Sequence, residues 1–459
     1  MSRRRLRAPL DFGAVRAELG VVEGFPPGAD PSSSPADPTP RVDALDIGFV
    51  TIDPPGSRDL DQALHVERRD GGGFRVRYAI ADLAAFMAPG GTLDAAVWAR
   101  GVTYYAPDRA IPLHPPALSE GAASLLADAE RPAILWTIEL DAAGERTATD
   151  VRRARIRSRA RLDYAGVQAD LDAGRAAEPL TLLAEVGRLR EALEVTRGGV
   201  SLPLPEQEVV RDAAGGWDVV YRAPLPVEGF NAQISLLTGM AAADLMLAAG
   251  TGIVRTLPPA DPRAIDRLRR SAAALGVDWP RDLGYPGFIR SLDPAAPAAA
   301  ALLHEATSVM RGAAYAAFSD GHAPEQPRHG ALAEEYAHVT APLRRLADRY
   351  ALECSIAACA GVAPPPWAVE GLDRLPEAMR AADRRASALE HACVDLVEAS
   401  LLAGRVGETF DAVVVDEGQI QIASPAVRAA CDGDPPVGAA VRVRLVVADP
   451  ASRTVRFSA

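Results

Sequence analysis

The stretch TIDPPGSRDLDQA, from Thr51 to Ala63, sets three aspartates, Asp53, Asp59 and Asp61, around a Pro54-Pro55-Gly56 turn. A strand-like run, GFVTI, leads into it from Ile47, and two more, QALHVE and FRVRYAIA, follow on either side of Gly71–Gly73. That pattern predicts an antiparallel hairpin with the carboxylates at a strand end. Carboxylates crowded in this way repel one another unless a cation neutralises them, and hard oxygen ligands with room for water suit Mg²⁺ or Mn²⁺. On spacing alone, a solvated acidic turn would look the same. A Ca²⁺ loop of the EF-hand kind is excluded, because its glycine and its closing glutamate are missing.

Further out, the composition bounds the function. With 459 residues, 48% of them hydrophobic, the chain can bury a large core. Its net charge of −12 excludes a protein that coats nucleic acid over its whole surface, so any RNA contact is local. All 49 basic residues are arginine, which suits bidentate phosphate contacts. No run approaches the roughly 18 uninterrupted apolar residues of a membrane helix, and the basic start MSRRRLRAPLDF lacks the apolar segment of a secretory signal. A cytoplasmic protein with no membrane partner is therefore expected. Cys354, Cys359, Cys393 and Cys431 have neither disulfide nor metal-ligand spacing and read as buried thiols of a reducing compartment.

Residues 11–19 can form one helix, and FPPGADPSSSPADPTP, 25–40, reads as a linker or extended arm. A second hairpin is predicted from AILWTIEL and the arginine-rich strand after Asp150, turned by DAAGE. Arginines alternate through RRARIRSRAR, 152–161, and would line either an RNA channel or a solvent-facing sheet edge. Apolar spacing near 3.6 predicts helices over 226–249, 262–275, 298–311, 342–360 and 376–403. Beyond Gly404, FDAVVVDEGQIQIAS, VRVRLVVADP and TVRFSA read as strands of a small β-barrel. The expected division is 1–46, a helix and Pro/Ser-rich linker; 47–403, a mixed α/β (α+β) catalytic domain; and 404–459, an OB-type barrel.

Four further segments give the acidic loop its context. They are YAIADL (Tyr78–Leu83), VTYYAPDRAIP (Val102–Pro112), LSEGAASL (Leu118–Leu125) and, far along the chain, YAHVTAPLRRLAD (Tyr336–Asp348). Together with TIDP and its aspartates, in this order, they resemble the catalytic domain of the ribonuclease II family. The resemblance implies a hydrolytic 3′-to-5′ exoribonuclease that degrades single-stranded RNA to nucleoside 5′-monophosphates. It also implies Mg²⁺, or Mn²⁺, as cofactor, with two ions bound and the second dependent on substrate.

Residue by residue, the resemblance assigns Asp53, Asp59 and Asp61 to the metal, with Asp61 the position most tied to catalysis. The family's fourth aspartate is Gln62, whose amide oxygen can still ligate an ion while carrying no charge. Arg344 matches the arginine that would stabilise charge on the scissile phosphate. Arg345, Tyr105, Tyr164 and Glu228 match substrate-binding positions, the two tyrosines as stacking partners for bases near the 3′ end. Tyr104 reads as structural, and His338 as a structural hydrogen-bonding residue. The family's serine is Ala341 here.

Relatives in that family carry two cold-shock-type barrels before the catalytic domain, which the first 46 residues are too short to supply. A variant without them, acting as a monomer, is the expectation. The C-terminal barrel has one aromatic pair, Phe410 and Phe457, and a modest RNA grip is expected of it. Two other functions remain open on the sequence: a catalytically weakened RNA-binding protein, because of Gln62, and a dedicated tRNA or rRNA 3′-end maturation nuclease.

Overall fold

A computed structural model describes residues 10–31, 40–202, 206–211, 216–294 and 296–459. The basic start and the centre of the Pro/Ser-rich arm lie outside the described residues. Five strands, β1 (Val42–Asp53), β2 (Gln62–Arg68), β3 (Phe74–Ala81), β4 (Glu130–Leu140) and β5 (Arg146–Asp163), close into a barrel in that order. Neighbours are antiparallel from β1 to β5, and β5 closes the ring by pairing parallel with β1. Both predicted hairpins are present. At the β2–β3 turn, Gly73 has φ 82° and a Cβ there would sit 2.2 Å from the Leu140 carbonyl oxygen, so only glycine lets β3 reach β4.

Alternation along these strands fills the barrel. Phe49, Val76, Ile80, Trp136, Ile138 and Ile156 are fully buried. The arginine-rich strand is pinned at its surface: Arg152 pairs with Asp150, Arg155 with Asp43 and Arg157 with Glu130, each at 2.8 Å. Arg153 turns inward to the fully buried Asp82 and to Glu353. The first part of this stretch is thus a salt-bridged sheet face, whereas Arg159 and Arg161 bond the main-chain carbonyls of Leu45 and Ser57 and Arg161 lies in the field of Asp53.

Against the barrel pack α1 (Glu178–Arg197), α2 (Pro226–Ala249) and α3 (Leu346–Ala360), while α4 (Leu375–Leu402) lies on α3 and on the C-terminal strands. By length and hydropathy α2 could cross a membrane, but more than half of its most apolar window is buried inside the protein, as befits a core helix. Two predicted helices are shorter than their apolar spacing suggests. The run from 298 gives a helix, Pro297–Ala306, that stops before 311. The run from 342 gives α3 only from Leu346, because the N–H groups of Arg344 and Arg345 both turn back to the Ala341 carbonyl and Arg345 bridges to Val102. The Arg-Arg pair thus sits in a turn rather than on a helix face.

After a hairpin of β6 (Glu206–Arg211) and β7 (Trp217–Arg222), and a small helical subcore around Leu268, Phe288 and Leu302, the chain ends in a second closed barrel. Its strands, β8 (Thr409–Asp416), β9 (Gln419–Ile422), β10 (Val427–Asp432), β11 (Ala440–Asp449) and β12 (Thr454–Ser458), run in the order β8-β9-β10-β12-β11, consistent with an OB-type fold. Phe410 and Phe457 meet edge to face at 5.6 Å inside this barrel. They are core residues and offer no stacking surface. The four cysteines are free thiols.

Candidate active site

Asp53 is the last residue of β1, and Gln62 the first of β2, so the acidic loop is the connection between two barrel strands. The parallel register pairs Asp53 with Asp163, which puts Tyr164 beside the start of the loop. Ser57 N–H closes the Pro54 turn at 3.2 Å, with Gly56 at φ 87°. The second half of the loop is stitched down by Ser124, which is fully buried: its hydroxyl donates to the Arg58 carbonyl at 2.6 Å and accepts from Leu60 N–H at 3.0 Å. Leu60, itself fully buried, is the apolar anchor between Asp59 and Asp61. The LSEGAASL segment owes its place near the site to this contact.

The Thr340–Arg344 turn closes over the loop from the other side. Leu343 N–H donates to Asp61 Oδ1 at 2.7 Å, and Arg344 Nε lies 3.7 Å from Asp61 Oδ2. Asp61 is buried, while the Arg344 side chain stays 43% exposed, free to meet a ligand above the carboxylate. Two further groups, neither singled out in the sequence as site residues, hold the turn. Asp348 accepts from Ala341 N–H at 2.7 Å, and the buried His114, kept neutral with its pKa lowered to about 3 by burial, places Nδ1 3.0 Å from the Leu343 carbonyl. No motif spacing marks His114; it acts through the backbone of a segment distant in sequence.

Burial raises the Asp53 carboxyl to about 6, with repulsion from Asp59 adding to it and Arg344 and Arg161 opposing. Asp59 is raised by burial, and Asp61 well above the carboxylate range by burial, against the pull of Arg344 and Leu343 N–H. Among the described residues no three acidic, His or Cys side chains are already drawn together as metal ligands. The donor set still fits Mg²⁺ or Mn²⁺: three hard carboxylates whose charge burial and mutual repulsion disfavour, and which Arg344 offsets only in part.

The other predicted site residues are dispersed around this point. Tyr105 follows the fully buried Tyr104, is 55% exposed, and stands in the field of Asp59, Arg344, Asp61 and Arg345. Thr103 N–H donates to the Arg344 carbonyl at 3.0 Å, which ties this strand to the turn. Tyr164 opens a helix, and its hydroxyl accepts from Asn231 Nδ2 at 3.1 Å. With Pro54, Pro55, Arg222 and Glu228 it lines a cavity of about 750 Å³.

Three predicted residues carry fixed partners of their own. Glu228 caps α2, accepting Leu225 N–H at 2.9 Å and Arg222 at 2.8 Å through one oxygen. Arg345 is locked bidentately onto Asp348, both bonds 2.8 Å, so it supports the turn instead of facing the loop. Gln62 commits its amide to two partners, donating to the Thr340 carbonyl at 2.6 Å and accepting from the Tyr78 hydroxyl at 2.9 Å. His338 is half-buried, with Nδ1 2.6 Å from the Tyr315 hydroxyl.

A model of the RNB domain matches residues 41–354, and a model of the RNase II-type exonuclease C-terminal S1 domain matches residues 408–459. Ribonuclease R of Escherichia coli is 27% identical over 401 residues, covering 82% of this chain and 48% of that protein. Mycoplasma genitalium RNase R, solved in complex with double-stranded RNA, superposes with a TM-score of 0.83 at 18% identity, over 97% of this chain and 82% of that one. Yeast Ssd1, described as a pseudonuclease, superposes at 0.68 with 16% identity, over 86% of this chain and 52% of its own. These two superpositions speak to the fold alone, and the fold serves a nuclease and a pseudonuclease alike. The chain spans between about a fifth and a half of the length of the curated relatives it matches.

Proposed function

Since the chain belongs to the RNB family, with an S1 barrel of the RNase II type, we propose that it is a hydrolytic exoribonuclease. It removes nucleoside 5′-monophosphates from the 3′ end of single-stranded RNA with the help of Mg²⁺ or Mn²⁺. The observation that carries this reading is the meeting of Asp61 with Leu343 N–H and Arg344. A buried carboxylate and a half-exposed guanidinium on facing loops form a place where a phosphodiester can be held between an acidic and a basic wall.

Asp53, Asp59 and Asp61 would hold the ion, which when bound polarises the phosphate and lowers the pKa of attacking water. Everything else is done by the chain. Arg344 faces the phosphate and stabilises the charge that builds on its oxygens. Tyr105 stacks on a base on the open side of the loop, and Tyr164 receives the terminal nucleoside in the cavity beside Pro54. Glu228, as the cap of α2, shapes that cavity through Arg222. A second ion, if the reaction uses one, would rest on substrate phosphate, since Gln62 is committed to other partners.

The catalytically weakened RNA-binding protein is the second reading, favoured by the missing fourth carboxylate at Gln62. A time course on 5′-labelled single-stranded RNA separates the two, with Mg²⁺, with EDTA and with Asp61→Asn as controls. A descending ladder that needs the metal and Asp61 supports the exonuclease. Undegraded but bound RNA supports the rival, and internal cuts at random positions would sink both.

A further inference from the structure

We infer that Gln62 is a positioning residue, the keystone of a hydrogen-bonded ring that clamps the Arg344 turn over the acidic loop, and is not a metal ligand. The inference deepens the reading above and rests on Asp61 and Arg344 acting together there. Four side chains from three parts of the fold make the ring. Gln62 Nε2 donates to the Thr340 carbonyl at 2.6 Å, and the Tyr78 hydroxyl donates to Gln62 Oε1 at 2.9 Å. Ser235 Oγ, on α2, donates to Thr340 Oγ1 at 3.3 Å; its 3.1 Å contact with the Tyr78 hydroxyl closes the ring without a hydrogen of its own, because Tyr78 gives its hydrogen to Gln62. Tyr78 and Thr340 are buried, and Gln62 and Ser235 are half-buried, so water competes for these bonds less than it would at the surface.

The residue type fits this post. One side chain must accept a hydrogen bond from Tyr78 and at the same time donate one to a main-chain carbonyl, and an amide does both. An ionised carboxylate accepts only; placed here it would set a negative charge against the Thr340 carbonyl oxygen. Asp61 and Gln62 are consecutive, so they reach the same turn at two ends. Asp61 takes Leu343 N–H near Arg344, and Gln62 takes the Thr340 carbonyl where the turn begins. With both ends held, Arg344 keeps its place above Asp61 without help from a fourth charge.

The test compares Gln62→Ala, Gln62→Glu, Tyr78→Phe and the Gln62→Ala/Tyr78→Phe double variant in the full chain, with Asp61→Asn as control. Two quantities are read: Mn²⁺ affinity without RNA, and kcat and KM on single-stranded RNA. Gln62→Ala and Tyr78→Phe should each leave Mn²⁺ affinity within about twofold. Each should lower kcat by roughly ten- to a hundredfold with KM little changed, as misplacement of Arg344 requires. The double variant should be no worse than the poorer single one, because one ring can be broken only once. Gln62→Glu, nearly the same shape but without the donor to Thr340, should lose as much turnover as Gln62→Ala. The inference is overturned if Gln62→Ala weakens Mn²⁺ binding as much as Asp61→Asn does, if Gln62→Glu matches the unsubstituted protein in turnover, or if the two single losses simply multiply. Unchanged Mn²⁺ binding in Asp61→Asn would instead overturn the metal reading, while the coupling of Gln62 to Tyr78 would still decide the ring.

Discussion

Leu343 N–H and Asp61 Oδ1, 282 positions apart in the chain, are joined by a hydrogen bond of 2.7 Å. That bond brings the two ends of the family's pattern together: it holds the carboxylate proposed as catalytic and sets the next residue, Arg344, beside it.

Asp61→Asn should therefore keep the fold and the bond from Leu343 while removing the charge. We expect turnover to fall by roughly a hundredfold or more, with RNA affinity held within a few fold. Equilibrium binding of labelled RNA beside single-turnover cleavage checks this, and near-normal cleavage would sink the assignment.

Arg344→Ala removes the half-exposed guanidinium above Asp61. The expected loss is about 10²–10³ in kcat, with Arg344→Lys recovering only part of it because a single ammonium cannot reproduce the planar fork. By contrast, Arg345→Lys should show itself first in stability, since Arg345 is bound bidentately to Asp348.

Asp53 predicts two pH effects of opposite kind. Metal binding needs its carboxylate, so Mn²⁺ affinity should weaken as pH falls through about 6, which isothermal titration at pH 5.5 and 7.5 would show. For folding, its pKa of about 6 lies above the ordinary 3.8, so its contribution is fully present below about pH 4 and is lost as pH rises through 6. The metal-free protein should then lose stability relative to Asp53→Asn between those limits, by about 3 kcal/mol at most. Denaturation midpoints of the two proteins in EDTA across this range test the sign, and Mn²⁺ should reverse it.

Ser124→Ala leaves Leu60 N–H and the Arg58 carbonyl without their shared partner. A loss of about 1–3 kcal/mol is expected, with faster amide exchange confined to residues 58–61. Unchanged exchange there would refute the role of Ser124 as the anchor of the loop.

Tyr105→Ala should raise KM for single-stranded RNA by an amount worth about 1–3 kcal/mol, while Tyr105→Phe, which keeps the aromatic face, should be close to unsubstituted. Equal defects in the two variants would point to the hydroxyl and away from stacking.

Much of this protein was legible in its sequence because local chemistry decides it. Alternation around Gly71–Gly73 sets the first hairpin, apolar spacing sets α2 and α4, and strand-like runs after Gly404 announce the second barrel. The aspartates of the loop and the Thr340–Arg344 segment could be recognised from residue types in order. What no local pattern could decide was how groups far apart in sequence share their hydrogen bonds. The parallel closure of β5 on β1 puts Tyr164 next to Asp53. Bidentate bonding to Asp348 fixes Arg345, Glu228 caps α2 while lining the cavity beside Tyr164, and the ring with Tyr78, Ser235 and Thr340 takes up Gln62. The physical reason is the same in each case: a buried polar group must find a partner, and which partner lies within reach is known only once the distant strands and turns have packed against one another.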